Sequence, residues 1–447
     1  MTAGRKGPEP HNGDVSRSTS VRAMTARPMA AGTRAVMAAR ALDRPLALLA
    51  TMAFVTQIGV AVMLPLLPLY ATQLGATPFV LGLLTSAHAL TSAAGQLVGG
   101  FLTERFAARR LVATGIGVYA GANILIATAT ASLPLVAFRA VAGFGGGLNQ
   151  VAERLYLTEA TERSRRAFAN GILSAAGAAG SVAGPAVGGL LAAVSDLHVP
   201  FLIVGATSAL ATVLALFLPR PPTRTTVDVD RLDATTPGSA VADSLGSDEG
   251  GHVQEHGRRT IVALFLSNTA LMAGFGAFIT TYAPFTTGKL GWSTVEVGLA
   301  WAMFGLGSVL LGPWLARRAD LTGRRRMAIL GSIPVVFFPI ALAFGSALPV
   351  VFSLSIVAGG GLTAFEASWY ALLASATDDG RRGRAFGTVT ALSSLGVVIG
   401  AMGAARIWEV GDIRAAVLLP AVAFMLAGLS LLMHPRDRPL EPEPSKA

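Results

Sequence analysis

Gly100-Phe-Leu-Thr-Glu104-Arg105-Phe-Ala-Ala-Arg109-Arg110-Leu111 is a charged loop wedged between two long apolar runs. It has a second copy 216 residues downstream: Asp320 falls on Glu104, Gly323 on Ala107, and Arg324, Arg325 and Arg326 on Ala108, Arg109 and Arg110. A chance match would end with the loop, whereas this one runs on into the flanking sequence. Pro68, Leu74-Gly75, Gly82-Leu83, Gly180 and Gly184 fall on Pro284, Leu290-Gly291, Gly298-Leu299, Gly396 and Gly400. Gly145-Gly-Gly-Leu148 and Tyr156 pair with Gly359-Gly-Gly-Leu362 and Tyr370 at an offset of 214. A chain built from two homologous halves follows.

The 447 residues are 52% hydrophobic and only 13% charged, with a mean hydropathy of +0.59, which is too apolar for two or three soluble domains. A helix crosses a bilayer with about 20 apolar residues. Six runs of that kind lie between Leu46 and Leu218 and six more between Ile261 and Met433. The pattern predicts an all-α integral membrane protein of 12 transmembrane helices in two pseudo-symmetric six-helix bundles. Its expected divisions are a disordered cytoplasmic tail over 1–45, an N-terminal bundle over 46–219, a cytoplasmic linker over 220–259, a C-terminal bundle over 260–434 and a cytoplasmic tail over 435–447.

The net charge of +10 raises the question of nucleic acid, and the placement of the 35 Lys and Arg answers it. Apart from Lys289, Arg406, Arg414 and Arg139, they all fall in the two tails, the linker and the loops on the same side as the Gly100 loop. That asymmetry is the positive-inside rule and places both termini in the cytoplasm. The basic excess therefore reads as topology, and the lipid bilayer rather than nucleic acid is the expected surroundings. With no cysteine, there is neither a disulfide framework nor a thiolate metal site, and no metal or cofactor is expected. No HExxH, GxSxG or phosphate-cradling loop occurs, which argues against an enzyme and against ATP drive.

Within the spans the polar residues stand out singly. The first helix offers Gln57 and ends in Pro65-Leu-Leu-Pro68, which reads as a bend facing a cavity or as a plain helix end. The second holds His88, a proton carrier or a packed imidazole. In the fourth, Arg139 is an always-charged group inside a span, costly unless paired or wet, which reads as a substrate or coupling residue or as a structural one bonding backbone carbonyls, and Asn149 and Gln150 extend a polar face below it. The fifth carries small residues four apart, at Gly180, Gly184 and Gly188, with Pro185 and Gly189 beside them, a seam on which two helices approach closely. The seventh offers Asn268, Thr280, Thr281 and Tyr282, the eighth Trp301. The tenth has Glu366 with Tyr370 nearby, an intramembrane carboxylate that reads as a proton relay or a gate residue.

These residues resemble the major facilitator superfamily over nearly the whole length from Leu46 to Met433. The family's Gly-x-Leu-x-Asp-Arg-x-Gly-Arg-Arg loop is matched by Gly100, Leu102, Glu104, Arg105, Arg109 and Arg110, with Glu104, Ala107 and Ala108 as departures. Its repeat keeps Asp320, Gly323, Arg324 and Arg325. Arg139, Gly143 and Gly145 match the helix-four signature, and Gly180, Gly184, Pro185, Gly188 and Gly189 match in full the helix-five signature associated with antiporters and drug efflux. The resemblance implies a secondary transporter, a monomer in the plasma membrane, that exports a small apolar or amphipathic molecule in exchange for protons by alternating access. It also implies a gating role for the loops, with the acid against a helix N-terminus of the other half and Arg109 paired with Glu159. Many proton-coupled relatives carry an acid in helix one, and this chain has none, so Glu366, Glu104, Glu153 or His88 is left to carry the proton. Uptake or facilitated diffusion of a sugar-like or organic-acid solute stands as the alternative, and a non-transporting sensor or enzyme as a remote one.

Overall fold

The computed structural model describes residues 44–220, 251–377 and 382–433, and thirteen α-helices run through them. They are α1 (Arg44–Gln73), α2 (Pro78–Thr103), α3 (Ala108–Ala127), α4 (Ser132–Ala160), α5 (Arg166–Val194) and α6 (His198–Leu216), then α7 (Gly251–Gly288), α8 (Thr294–Leu310), α9 (Gly312–Thr322), α10 (Arg324–Ala343), α11 (Leu348–Ser375), α12 (Arg382–Val410) and α13 (Ile413–Ser430). Between α8 and α9 the chain bends by 44°. Pro313 opens α9 there, lacking the N–H that would continue the ladder from α8. Counting α8 and α9 as one bent rod leaves twelve rods, six in each half.

The repeat shapes the backbone as well as the sequence. Gly75 and Gly291, one offset apart, both take positive φ, 79° and 70°, to turn the chain between the first two rods of each half. The next helix then starts in the same way in both halves: the Thr77 hydroxyl accepts the Val80 N–H in one, and Ser293 forms a capping box with Glu296 in the other. Packing repeats too. In the first half α1 lies on α5 and α6, α2 on α4, and α3 on α4 and α6; in the second α7 lies on α12 and α13, α8 on α11, and α10 on α11 and α13.

Eight of the described helices are each long and apolar enough to cross a membrane, and the bent α8–α9 pair makes a ninth. The long helices α2, α4 and α12, of 26, 29 and 29 residues, have the length, at about 1.5 Å per residue, but carry more Gly, Ser, Thr and charge. α2 lies against both α4 and α12, so its polar positions meet protein rather than lipid.

Two expectations change. α1 runs unbroken through Pro65 and Pro68, so that pair does not end the helix. α7 already begins at Gly251, so residues 251–259, expected in the linker, extend it; once a helix is nucleated each further residue adds a hydrogen bond at little cost. The expected tails up to 43 and from 434, and the linker over 221–250, lie outside the described residues.

The halves meet along α2 against α12 and α5 against α8. The hydrogen bonds joining them lie toward the arginine-poor end. The Phe79 N–H donates to Glu409 Oε1 at 3.2 Å, Thr294 Oγ1 to the Gly189 carbonyl at 3.0 Å, and Thr280 Oγ1 to Thr85 Oγ1 at 3.3 Å. Leu69 of α1 and Trp408 of α12 pack on the apolar cores of both halves at that end. The arginine-poor end is thus sealed by backbone contact, apolar packing and one carboxylate.

Candidate functional site

Beneath the seal lies a cavity of about 370 Å³, within the range of small-molecule sites. Its second-half wall is aromatic: Phe275, Phe278 and Tyr282 from α7, Trp301 and Phe304 from α8, Phe338 from α10 and Phe424 from α13. The rings pack on one another, with Phe278 centroids 4.9 Å from Tyr282, 5.4 Å from Trp301 and 5.5 Å from Phe338. Tyr282 is held by its hydroxyl, which donates to the Val297 carbonyl at 2.8 Å. Such rings offer a large apolar surface with electron-rich faces, suited to flat apolar groups and to cations.

The first-half wall is small and smooth. Leu64, Ala178 and Ser181 supply it, and the helix-five glycines explain why. Gly180, Gly184 and Gly188 turn toward α1, where an added Cβ would lie 2.8 Å from the Phe54 carbonyl, 2.6 Å from Ala61 Cβ and 2.9 Å from Val62. Ala178 and Ser181, to the side of that seam, line the cavity. Gly189 and Pro185 meet the other half, since a Cβ on Gly189 would clash with the Thr294 carbonyl and one on Gly298 with that of Pro185. One motif thus serves two seams, one within a half and one between halves. Gln57 reaches the cavity indirectly, donating from Nε2 to Ser181 Oγ at 2.9 Å.

Glu366 is the acid in the cavity wall. Its carboxylate faces aromatic rings and has no hydrogen-bonding or ionic partner among the described residues. Tyr370, one turn on, is exposed and sets its ring edge-on to Trp369 at 5.1 Å. Arg139 stands apart from this wall, buried in α4 at 7% exposure, with Nη1 donating to Met63 Sδ at 2.9 Å. His88 lies within electrostatic reach of it. Asn149 and Gln150 do not share a face: Asn149 is buried and donates to Glu153 Oε2 at 3.4 Å, while Gln150 is exposed.

The gating loops differ from expectation in one respect. Arg109 does not pair with Glu159; it donates to the Leu216 carbonyl at the end of α6. Its counterpart Arg325 does the same in the second half, to the Leu431 and Leu432 carbonyls, each at 2.8 Å, at the end of α13. A helix C-terminus presents unsatisfied carbonyls and the negative end of the macrodipole, so it binds a guanidinium as an acid would. Glu104 and Arg105 are exposed, and Glu104 has no partner among the described residues. A Cβ on Gly100 would meet nothing within 4 Å. Asp320 falls in α9, but its side chain lies outside the described residues. Gly323 takes φ 93° between α9 and α10, with Arg324 opening the latter, whereas Ala107 at the matching point has φ −58°. That difference is why the first loop tolerates alanine where the second has glycine.

The aromatic wall is the part of the site that sequence reading missed, Tyr282 and Trp301 excepted. In helices that are apolar all round, the sequence gives little sign of which side faces protein. Phe337 is 54% exposed and its neighbour Phe338 only 5%.

Comparison with known proteins agrees with this architecture. The sequence matches the family model described as Major Facilitator Superfamily over residues 49–263 and 264–447. It is 28% identical to the class C tetracycline resistance protein of Escherichia coli over 351 residues, covering 77% of this chain and 84% of that one. It is 22% identical to the quinolone resistance protein NorA of Staphylococcus aureus, covering 85% of this chain and 93% of that one. Among solved structures, a bacterial homolog of the human lysosomal transporter Spinster, in an inward-facing and occupied conformation, superposes with a TM-score of 0.68 at 17% identity, covering 87% of this chain and 96% of that one.

Proposed function

Because the chain belongs to the major facilitator superfamily, we propose that this multi-pass membrane transporter carries a small apolar or amphipathic molecule out of the cell in exchange for protons. The observation that carries the reading is the cavity: an aromatic wall with one unpartnered carboxylate, Glu366, closed at one end by contacts between the halves. Likeness to a tetracycline resistance protein and a quinolone resistance protein supports the direction, since removing a drug from the cell is one way to resist it.

With the arginine-rich end in the cytoplasm, the seal stands on the outer side and the cavity is reached from within. A flat amphipathic molecule leaves water for the aromatic wall, gaining roughly 25 cal/mol per Å² of apolar surface buried, and sets any cationic end toward Glu366. Rocking the halves breaks the outer seal and closes the inner side. Protonation of Glu366 from outside removes the charge that held the molecule, and the carboxylate returns the proton to the cytoplasm. The protein works as a monomer in the cell membrane with both termini cytoplasmic, and needs no ATP.

The test is flux in proteoliposomes under an imposed pH gradient, with lipophilic cations, antibiotics and sugars as the panel. Flux of an aromatic compound that follows the gradient, and loses that dependence in Glu366→Gln, supports the reading. Flux indifferent to the gradient means facilitated diffusion, and uptake of a sugar would sink the export claim.

A further inference from the structure

The N-terminal half contains a cation that no described acid neutralises. A guanidinium keeps its proton inside proteins and carries five N–H donors, so Arg139 cannot escape the cost of burial by becoming neutral, as a carboxylate would. It is 7% exposed, about two turns into α4. Its neighbours are neutral: Met63 Sδ accepts from Nη1 at 2.9 Å, and the Tyr119 phenol lies beside it. A thioether is a weak acceptor. No ion pair joins Arg139 to an acid among the described residues. The two acids within the spans are otherwise placed, Glu153 beside Asn149 and Glu366 in the wall of the other half.

A second titratable group stands at the same place, close to the Arg139 backbone as well as to its side chain. His88 of α2 is within electrostatic reach of Arg139, and its Nδ1 is buried without a hydrogen bond. The two helices cannot draw apart to relieve this without losing their packing. Gly143 of α4 meets α2 so closely that a Cβ there would clash with Thr91 Oγ1. A guanidinium, a phenol and an imidazole are therefore held together, with the neutral Asn123 amide beside Tyr119 and no anionic acceptor for the guanidinium among the described residues. In a chain read as membrane-spanning, what satisfies such a group is a negative charge from outside the protein.

We propose that Arg139, with Tyr119 and His88, forms an anion site in the N-terminal half that takes one monovalent anion, either an inorganic ion such as chloride or the carboxylate of a small organic acid. A single fixed positive charge suits a single negative one. The site is separate from the aromatic cavity, for α1 stands between them, presenting Met63 to Arg139 and Leu64 to the cavity. Its occupancy is measured without reference to transport direction.

The experiment uses the purified full-length protein in nanodiscs, in HEPES buffer with sodium sulfate, a divalent non-carboxylate anion, holding the ionic strength constant, titrated separately with chloride and with benzoate while the thermal unfolding midpoint is read. A saturable rise with either anion is expected in the parent protein, with apparent affinity at least tenfold weaker in Arg139→Gln and severalfold weaker in Tyr119→Phe. Response to chloride alone assigns the inorganic ion, and response to benzoate alone assigns the organic acid. If Arg139→Gln does not fold, Tyr119→Phe and His88→Ala decide the matter, since both keep the charge and remove a neighbour. A midpoint indifferent to both anions, or a response that these variants leave unchanged, overturns the site.

Discussion

At the scale of single residues, the repeated loop is a set of backbone devices more than a set of ion pairs. Arg109 and Arg325 each reach across to the end of the last helix of their own half. Charge-assisted hydrogen bonds of this kind contribute about 1.5–3 kcal/mol when well shielded, and less at these partly exposed positions. Arg325→Gln should therefore lower the thermal unfolding midpoint in detergent more than Arg109→Gln does, because two carbonyls lose a donor instead of one; equal and negligible shifts would remove the capping account. Gly323→Ala forces φ 93° and ψ 132° on a residue with a Cβ and should cost roughly 1–3 kcal/mol, while Ala107→Gly, at φ −58°, should change stability by less. These roles were half legible in the sequence. The offset of 216 residues exposed the two loops as equivalents, but a guanidinium's partner could not be read from it. An acid such as Glu159 can be seen in a sequence, whereas the free carbonyls at Leu216 exist only once a helix ends there.

At the scale of elements, α5 is two-faced, and each face has its own measurable consequence. Gly184→Val inserts bulk where a Cβ already lies 2.6 Å from Ala61, and overpacking of this kind typically costs 1–3 kcal/mol. The expected outcome is a lower unfolding midpoint, with Gly177→Val as the control, since nothing lies within 4 Å of its Cβ position. Gly189→Val acts between halves and should leave the bundle folded while opening the seal. Read from the sequence, the small-residue stripe marked close packing but not that Gly189 faces away from Gly184, toward a helix in the other half. The apolar helices were legible in number and order for a related reason: bilayer thickness sets their length. The break between α8 and α9 was not, because the apolar run continues past Gly312-Pro313 and only the interior ladder feels the missing N–H.

At the scale of the whole molecule, three hydrogen bonds among the described residues join the halves at the closed end, so removing one should shift its balance with the alternative state. Glu409 is the charged member, accepting the Phe79 N–H at the start of α2, with Arg406 Nη1 3.8 Å from its other oxygen. An anion at a helix N-terminus gains from the macrodipole as well as from the hydrogen bond, and losing about 1.4 kcal/mol changes an equilibrium tenfold. The chain has no cysteine, so a single thiol reports accessibility without background. Ser181→Cys, in the cavity wall, should react quickly with an impermeant maleimide in inside-out vesicles and slowly in right-side-out ones. Adding Glu409→Ala should raise the outside rate by roughly tenfold and lower the inside rate. Faster labelling from the outside in the Ser181→Cys protein with Glu409 intact would reverse the orientation read from the arginines. Unchanged rates in the double variant would mean that Leu69, Trp408 and the α5–α8 contact hold the seal without the carboxylate.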